Sequence, residues 1–364
     1  MVERLNRGEW SEFYAFIKVL SERQLLAADA DLTPLPDVFY PVRKVLRHET
    51  GIERTYNLKN DDHIELFVSE DGNEESYEID YAEISDLKGP LFEQIRDSQG
   101  RAFEIDMAEA LIETLHCGKV KAASTQKGDI MIVIHDHVTN RENNVEFSIK
   151  SYIGGMPTLL NASGATNFKF RLEGFTGAAE DINEISGRSK VKDRLNALIN
   201  SGVDLQLENL ASPIFKRNLR KIDSSMPLFI GQFLVQFFSG NARSIADLTA
   251  LIAEQGTATD SLGEAFNFED LKYKIKQLLI NVALGLVPNT DWDGFIKADG
   301  GYIIVKEDGD VVCFHIYNIS ELGEYLFNNT KLETASTTRH KFASVYEEDG
   351  VAYMNLNLQI RFMG

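Results

Sequence analysis

Cysteine is nearly absent, with two residues, Cys117 and Cys313, in a chain of 364. Two cysteines build no disulfide framework, and neither stands in a CxxC or Cys/His spacing that would hold structural zinc. Long apolar runs are missing too. The longest, residues 226–238, is broken by Gly231, Gln232 and Gln236 and is too short to span a bilayer. The opening Met1-Val2-Glu3-Arg4 lacks the basic-then-apolar profile of a secretion signal. Together these absences point to a cytoplasmic protein that takes no membrane partner. Proline is scarce, at 8 residues, and 43% hydrophobic with 26% charged residues is the composition of a folded chain, not a disordered or fibrous one. The length allows one large domain or two ordinary ones.

Positive charge is also in short supply. The formal net charge is −19, which at first opposes a nucleic-acid partner, because phosphate binding needs Lys and Arg to displace counterions. The total hides a division. Residues 1–113 carry 12 Lys and Arg against 26 Asp and Glu, residues 114–222 carry 15 against 11, and residues 223–364 carry 10 against 19. The middle of the chain is locally basic inside an acidic protein.

Residues 8–20 place Trp10, Phe13, Phe16, Ile17 and Leu20 at helical spacing and predict an amphipathic helix. Short alternating runs such as Ile64-Glu65-Leu66-Phe67-Val68, with the turn signal Asp71-Gly72-Asn73, predict a small acidic β unit over about residues 37–90. A helix is expected over 106–116, closed by Gly118. Further helices are expected at 226–238, 244–254 and 268–286, followed by hairpins around Asp308-Gly309 and Asp349-Gly350. There is no internal repeat.

The most regular β signal is Asp129-Ile130-Met131-Ile132-Val133-Ile134-His135, then a polar loop over 139–144, then residues 145–153. It predicts an antiparallel hairpin. Pairing His135 with Asn144 sets Asp129 opposite Lys150, within the residue or two that a sequence leaves open. Alternation puts Glu146, Ser148 and Lys150 on one face. An acid heading one strand, with a Lys on its neighbour two positions after a polar or acidic residue, is the layout of a PD-(D/E)XK nuclease site. There a carboxylate and a strand carbonyl hold Mg²⁺, which polarises phosphate and acidifies water, while the Lys orients or deprotonates that water. A solvated strand face is the plainer alternative.

The match departs from the motif at two positions. Gly128 stands where Pro is usual, and Ser148 stands where the second acid belongs. A hydroxyl ligates Mg²⁺ less well than a carboxylate, so the missing charge must come from elsewhere. Glu146 is one source. Glu12 is the other, inside Arg7-Gly8-Glu9-Trp10-Ser11-Glu12, which is similar to the basic-Gly-x-x-x-Glu signature by which related nucleases bring a helical Glu to the metal. Glu9 is the alternative within that helix, and either acid could simply favour the helix dipole.

Gly8-Glu9-Trp10-Ser11-Glu12, Glu146-Phe147-Ser148-Ile149-Lys150-Ser151, Pro157-Thr158-Leu159-Leu160-Asn161-Ala162-Ser163, Ala165-Thr166-Asn167-Phe168 and Thr338-Arg339-His340-Lys341-Phe342, taken in order, resemble the HpaII family of type II restriction endonucleases. The resemblance covers nearly the full length. It implies an α/β protein with a PD-(D/E)XK nuclease core, a mixed β-sheet flanked by helices, and a C-terminal α+β region. It implies Mg²⁺-dependent cleavage of double-stranded DNA at a short palindrome, CCGG, with Asp129 and Glu12 as metal ligands, Lys150 as catalytic base and Ser148 as a position in the site. A palindromic substrate points to a homodimer, and a host needs a companion DNA methyltransferase for the same sequence. In this reading residues 1–225 form the nuclease core with the acidic β unit inserted, and residues 226–364 form a recognition and dimerisation region. A structure-selective or repair nuclease, or a DNA-binding protein without catalysis, are the rivals.

The basic middle then gains a meaning. Arg188, Lys190, Lys192 and Arg194 are candidate phosphate contacts, as are Lys216, Arg217, Arg220 and Lys221. Thr158, Asn161, Ser163, Thr166 and Asn167 follow the catalytic strand and offer hydrogen bonds to bases or phosphates, and Arg339, His340 and Lys341 offer Arg for guanine. Solvated helix faces and an ordinary loop are the alternatives. His135-Asp136-His137 is set aside as a metal clip because the strand is ending there. Gly154-Gly155 and Gly300-Gly301 read as turns without the Lys-Ser/Thr of a phosphate loop, and the aromatic run 229–238 reads as core.

Overall fold

The computed structural model describes residues 3–120, 128–136, 140–259 and 263–364; Lys127, His137 and Thr139 of the expected hairpin lie outside them. Two compact units result, residues 1–157 with 296–325, and residues 158–295 with 326–364.

In chain order the first unit begins with helix α1 (Arg7–Glu22) and strands β1 (Gln24–Ala28), β2 (Pro34–Glu49), β3 (Ile52–Asn57), β4 (His63–Glu70) and β5 (Asn73–Asp80). It continues through α2 (Tyr81–Asp97), α3 (Ala108–Thr114), β6 (Ile130–Asp136) and β7 (Arg141–Ser151). The second unit opens with β8 (Thr158–Leu160), β9 (Asn167–Glu173), α4 (Ala179–Asn183), α5 (Lys190–Asn200), β10 (Asp204–Leu210), α6 (Pro213–Ile222), α7 (Met226–Ser239), α8 (Ile245–Gln255) and α9 (Phe268–Ala283). The chain then returns to the first unit with β11 (Gly301–Val305), β12 (Val311–His315) and the start of α10 (Ile319–Asn328). It ends in the second with β13 (Thr330–Leu332), α11 (Thr337–His340), β14 (Val345–Glu348), β15 (Val351–Asn357) and β16 (Ile360–Phe362).

A nine-stranded mixed sheet in the order β1-β12-β11-β7-β6-β2-β3-β4-β5 organises the first unit. The β11–β7 and β1–β12 pairs are parallel and the others antiparallel. Strand β2 is long enough to serve two neighbourhoods. Its first part, Pro34 to Pro41, pairs with β1, and its second part pairs with β3 and β6. The acidic strands β3 to β5 therefore continue the sheet that carries the β6–β7 hairpin. Between β4 and β5 the two-residue turn Asp71-Gly72 takes left-handed angles at both positions, the geometry of a tight hairpin.

Helix α1 lies on the sheet face that carries Ile130, Ile132, Phe147 and Ile149, and its Trp10, Phe13, Phe16, Ile17 and Leu20 join them in one core. Asn6 caps the helix by accepting from Glu9 N–H, and the Glu9 carboxylate accepts from Asn6 N–H, a reciprocal capping box. Tyr14 and Arg7 fasten the helix further, the phenol donating to Gly309 O and the guanidinium to Ile95 O and Gly154 O.

In the second unit, β10-β9-β15-β14 and β13-β16-β8 form two small sheets. Phe229, Phe233 and Phe238 of α7 are buried, as a core reading of that run requires. The expected boundary near residue 225 falls inside this unit, where Gly231 of α7 sits against Leu207 of β10. Among the described residues no helix is long and apolar enough to cross a membrane.

Candidate active site

The β6–β7 hairpin forms, with a register two residues away from the one expected. Ile130 pairs with Phe147 and His135 with Glu142, so Asp129 stands at Ser148 and not at Lys150. The polar residues Arg141 to Asn144, expected as loop, belong to the strand. They are mostly exposed, and a strand end with no cover needs no apolar face. A shift of two preserves the alternation. Phe147 and Ile149 stay in the core below α1, while Glu146, Ser148 and Lys150 turn to the other face.

The open end of the hairpin, away from its turn, concentrates the polar chemistry. Asp129 N–H donates to Phe147 O at 2.9 Å, which extends the ladder one residue beyond β6. The Asp129 Oδ2 atom accepts from Ile149 N at 2.6 Å and from Ser148 Oγ at 3.2 Å. Both bonds fall on Oδ2, and Asp129 is an exposed residue. Lys150 Nζ donates to Ile149 O at 3.1 Å. A carboxylate, a hydroxyl, a strand carbonyl and an ammonium are thus gathered within three successive residues of β7 and the head of β6.

Glu146 sits one pleat earlier. Its Oε2 accepts from Gly128 N at 3.1 Å, and its own N–H donates to Asp299 Oδ1 at 2.9 Å. Burial pushes the Glu146 carboxyl above its ordinary range, the Gly128 N–H pulls it back, and the Asp299 carboxylate adds to the rise. Glu12 is half-buried on α1, one turn before Ala15 and Phe16 and therefore on the stripe that meets the sheet. Glu9 is engaged in the capping box, which assigns it the helix-terminal use.

Among the described residues no group of three or more His, Cys, Asp and Glu could by itself hold a metal ion. Mg²⁺ does not require such a cage, since it keeps several waters and is commonly held by one or two carboxylates. Asp129 Oδ1, the Ile149 carbonyl and the Ser148 hydroxyl are oxygen donors of the right kind.

Sequence reasoning passed over three features of this region. The first is β11, whose parallel register sets Tyr302 beside Ser148 and Ile304 beside Lys150. The second is the Gly300-Gly301 pair, read as a turn. A Cβ on Gly300 would meet the Phe147 ring at 2.7 Å and Glu146 O at 2.8 Å, so glycine lets β11 approach β7. A glycine pair ahead of the wholly apolar Tyr302-Ile303-Ile304-Val305 was the available signal. The third is a buried charge network on β2 and β3. Glu49 pairs with Arg47 at 3.3 Å and Arg54 at 3.2 Å and accepts from Gly118 N, while Arg47 donates to Lys119 O and Val120 O. It secures the chain a few residues ahead of Asp129.

In the second unit the expected DNA contacts divide by burial. Arg188, Lys192, Arg339 and Lys341 are exposed, as is Asn161, and Lys190, Thr158 and His340 are half-buried. Arg188 and Lys192 line an open pocket of about 610 Å³ together with Arg243. Lys216, Arg217, Arg220 and Lys221 of α6 line another of about 480 Å³. Thr166 and Asn167 are buried, and Ser163, Thr166, Asn167, Asn357 and the His340 carbonyl form one internal network. Arg194 is buried too, donating to Ile185 O at 2.9 Å, Ala343 O at 2.7 Å and Asn183 O. In this arrangement the side chains of Thr166, Asn167 and Arg194 hold loops together and do not face outward.

The chain matches the family model described as HpaII restriction endonuclease over residues 6–362. It is also 34% identical over 359 residues, 98% of each chain, to the type II restriction enzyme HpaII of Haemophilus parainfluenzae. No solved structure matches. Matches of that extent define a type II site-specific deoxyribonuclease, a class whose substrate is double-stranded DNA. The chain belongs to the HpaII restriction endonuclease family.

Proposed function

We propose that the protein hydrolyses phosphodiester bonds at a short palindrome, CCGG, through a Mg²⁺-dependent PD-(D/E)XK centre built on Asp129, Ser148 and Lys150. The observation that carries this reading is the placement of Asp129 on the Ser148 hydroxyl and Ile149 amide, with Lys150 Nζ at the Ile149 carbonyl. Asp129 Oδ1, the Ile149 carbonyl and the Ser148 hydroxyl would hold the cation, and Glu12 is the proposed second acid. When bound, Mg²⁺ supplies polarisation of the phosphate and a water of lowered pKa.

The chain's own residues do the rest. Two donors fix Asp129 Oδ2, which sets the orientation of the other oxygen before any substrate arrives. Lys150 orients the attacking water as an ammonium, or accepts its proton as a neutral amine. Its ammonium rests on the carbonyl that a metal ion would also use, so it has to move aside as the centre fills. In the second unit, Arg188, Lys190 and Lys192 are proposed phosphate contacts and Arg339 a proposed reader of guanine. The protein is proposed to act in the cytoplasm as a homodimer, beside a methyltransferase that modifies the same sequence; CCGG itself follows from the family resemblance. The test is digestion of plasmid DNA with and without Mg²⁺, with sequencing of the ends. Asp129→Ala should abolish cleavage and keep target binding in Ca²⁺, and Lys150→Ala should lower cleavage by orders of magnitude with binding retained. Undiminished cutting by Asp129→Ala removes that residue from the centre, and cutting at junctions or flaps in place of one sequence favours a structure-selective nuclease.

A further inference from the structure

On the far side of Ser148 from Asp129, the β11 register sets Tyr302 directly beside it, and Phe314 of β12 follows next in the row. Residues paired on adjoining strands project from the same face within reach of one another. A line of side chains therefore crosses the sheet from Asp129 through Ser148 and Tyr302 to Phe314. Phe314 stacks on Tyr325 with centroids 5.1 Å apart, and the Tyr325 hydroxyl is hydrogen-bonded to that of Tyr152. Tyr302 is fully buried, and its hydroxyl has no hydrogen-bond partner among the described residues. Burial holds the phenol well above its ordinary pKa, and neighbouring Tyr152 and the Asp129 carboxylate raise it further, so the group stays a neutral hydroxyl.

A buried hydroxyl left unpaired is costly, and phenylalanine would fill the same space without that cost. Its presence next to Ser148 calls for a use. In the arrangement described, Ser148 Oγ gives its proton to Asp129 Oδ2 in a hydrogen bond. A hydroxyl that ligates a cation turns a lone pair toward it, and its O–H must then point to another acceptor. We infer that Tyr302 is a positioning residue of the cation site: its phenolic oxygen accepts the Ser148 O–H when the Ser148 oxygen turns from Asp129 to the metal. No covalent bond changes; the serine hydroxyl rotates from one acceptor to the next. The inference rests on the proposed role of Asp129, and it gives a reason for a serine to stand where an acid is usual, since an adjacent acceptor lets the hydroxyl serve as a ligand.

The experiment measures Mn²⁺ binding to the full chain by electron paramagnetic resonance, together with the melting temperature in the absence of metal. Four variants are compared, Tyr302→Phe, Ser148→Ala, their combination, and Asp129→Asn. Tyr302→Phe should weaken Mn²⁺ binding about 10-fold, as loss of an outer partner of a metal ligand does. Its metal-free melting temperature should be unchanged or higher, because the hydroxyl removed was unpaired. In the Ser148→Ala background the same change should have no further effect on Mn²⁺ affinity. Wild-type Mn²⁺ affinity in Tyr302→Phe, an equal further loss in the Ser148→Ala background, or a lowered metal-free melting temperature would each overturn the inference. Asp129→Asn should abolish Mn²⁺ binding. Wild-type affinity in that variant would instead overturn the reading of the centre on which the inference rests.

Discussion

Replacing Arg194 with alanine removes a guanidinium that donates to Ile185 O, Ala343 O, Asn183 O and the Ser344 hydroxyl. The residue is 8% exposed, and burial lowers its pKa from the ordinary value, while three backbone carbonyls accept from the charged group. Three carbonyls losing their donor at a net of about 1 kcal/mol each give a destabilisation of about 3 kcal/mol. For a unit of this size that corresponds to a fall of about 6–12 °C in melting temperature. Calorimetry would read the fall, and hydrogen exchange should localise it to residues 183–185 and 343–345, where Val345 N–H also donates to Asn183 Oδ1. The competing expectation, that Arg194 binds phosphate, makes the opposite forecast. An Arg194→Ala protein that melts within about 1 °C of wild type but shows a salt slope of DNA binding shallower by about 1 would refute the structural account.

Arg339→Ala should cost about 1–3 kcal/mol in binding a cognate duplex and little in binding a scrambled one, measured at one fixed salt concentration, because a guanine contact carries discrimination and not backbone charge. Equal weakening of both duplexes would make Arg339 a phosphate contact. Glu12→Gln should lose more cleavage than Glu146→Gln, and a wild-type rate for Glu12→Gln would transfer the role of second acid. Glu146 also has a pH signature. Its folded pKa is raised, chiefly by burial, so the stabilisation it brings is complete below its unfolded value and is lost as pH rises through the folded one. Glu146→Gln should therefore match wild-type stability in acid and exceed it at higher pH in urea unfolding; a constant difference at all pH values would contradict this.

Local patterns carried the parts of the fold that depend on local spacing. Residues 8–20 showed the buried stripe of α1, and Asp71-Gly72 and Asp349-Gly350 announced turns that form where glycine angles are needed. The hairpin bearing Asp129 and Lys150 was legible because alternation survives a register shift of two, though the register was not, since polar Arg141 to Asn144 look like a loop until pairing with β6 is known. Tyr302 was beyond reach for a different reason. It meets Ser148 through a parallel pairing more than a hundred residues distant in sequence, and nothing in the spacing of either strand encodes that meeting. Arg194 misled in the opposite direction, because an alternating basic string looks solvated when one of its members is turned inward to carbonyls.

Because β2 joins β1 on one side and β6 on the other, β1 is paired along both flanks, with β2 and with β12. Among the described residues this leaves β5 as the open margin of the large sheet. That strand is mostly exposed and carries Glu74, Glu75, Glu78 and Asp80. Two copies meeting there would bring like carboxylates into register, so the margin resists self-templated growth of the sheet into fibres. The acidity that counted against a DNA enzyme thus has a separate employment, keeping the large sheet from polymerising through its open margin.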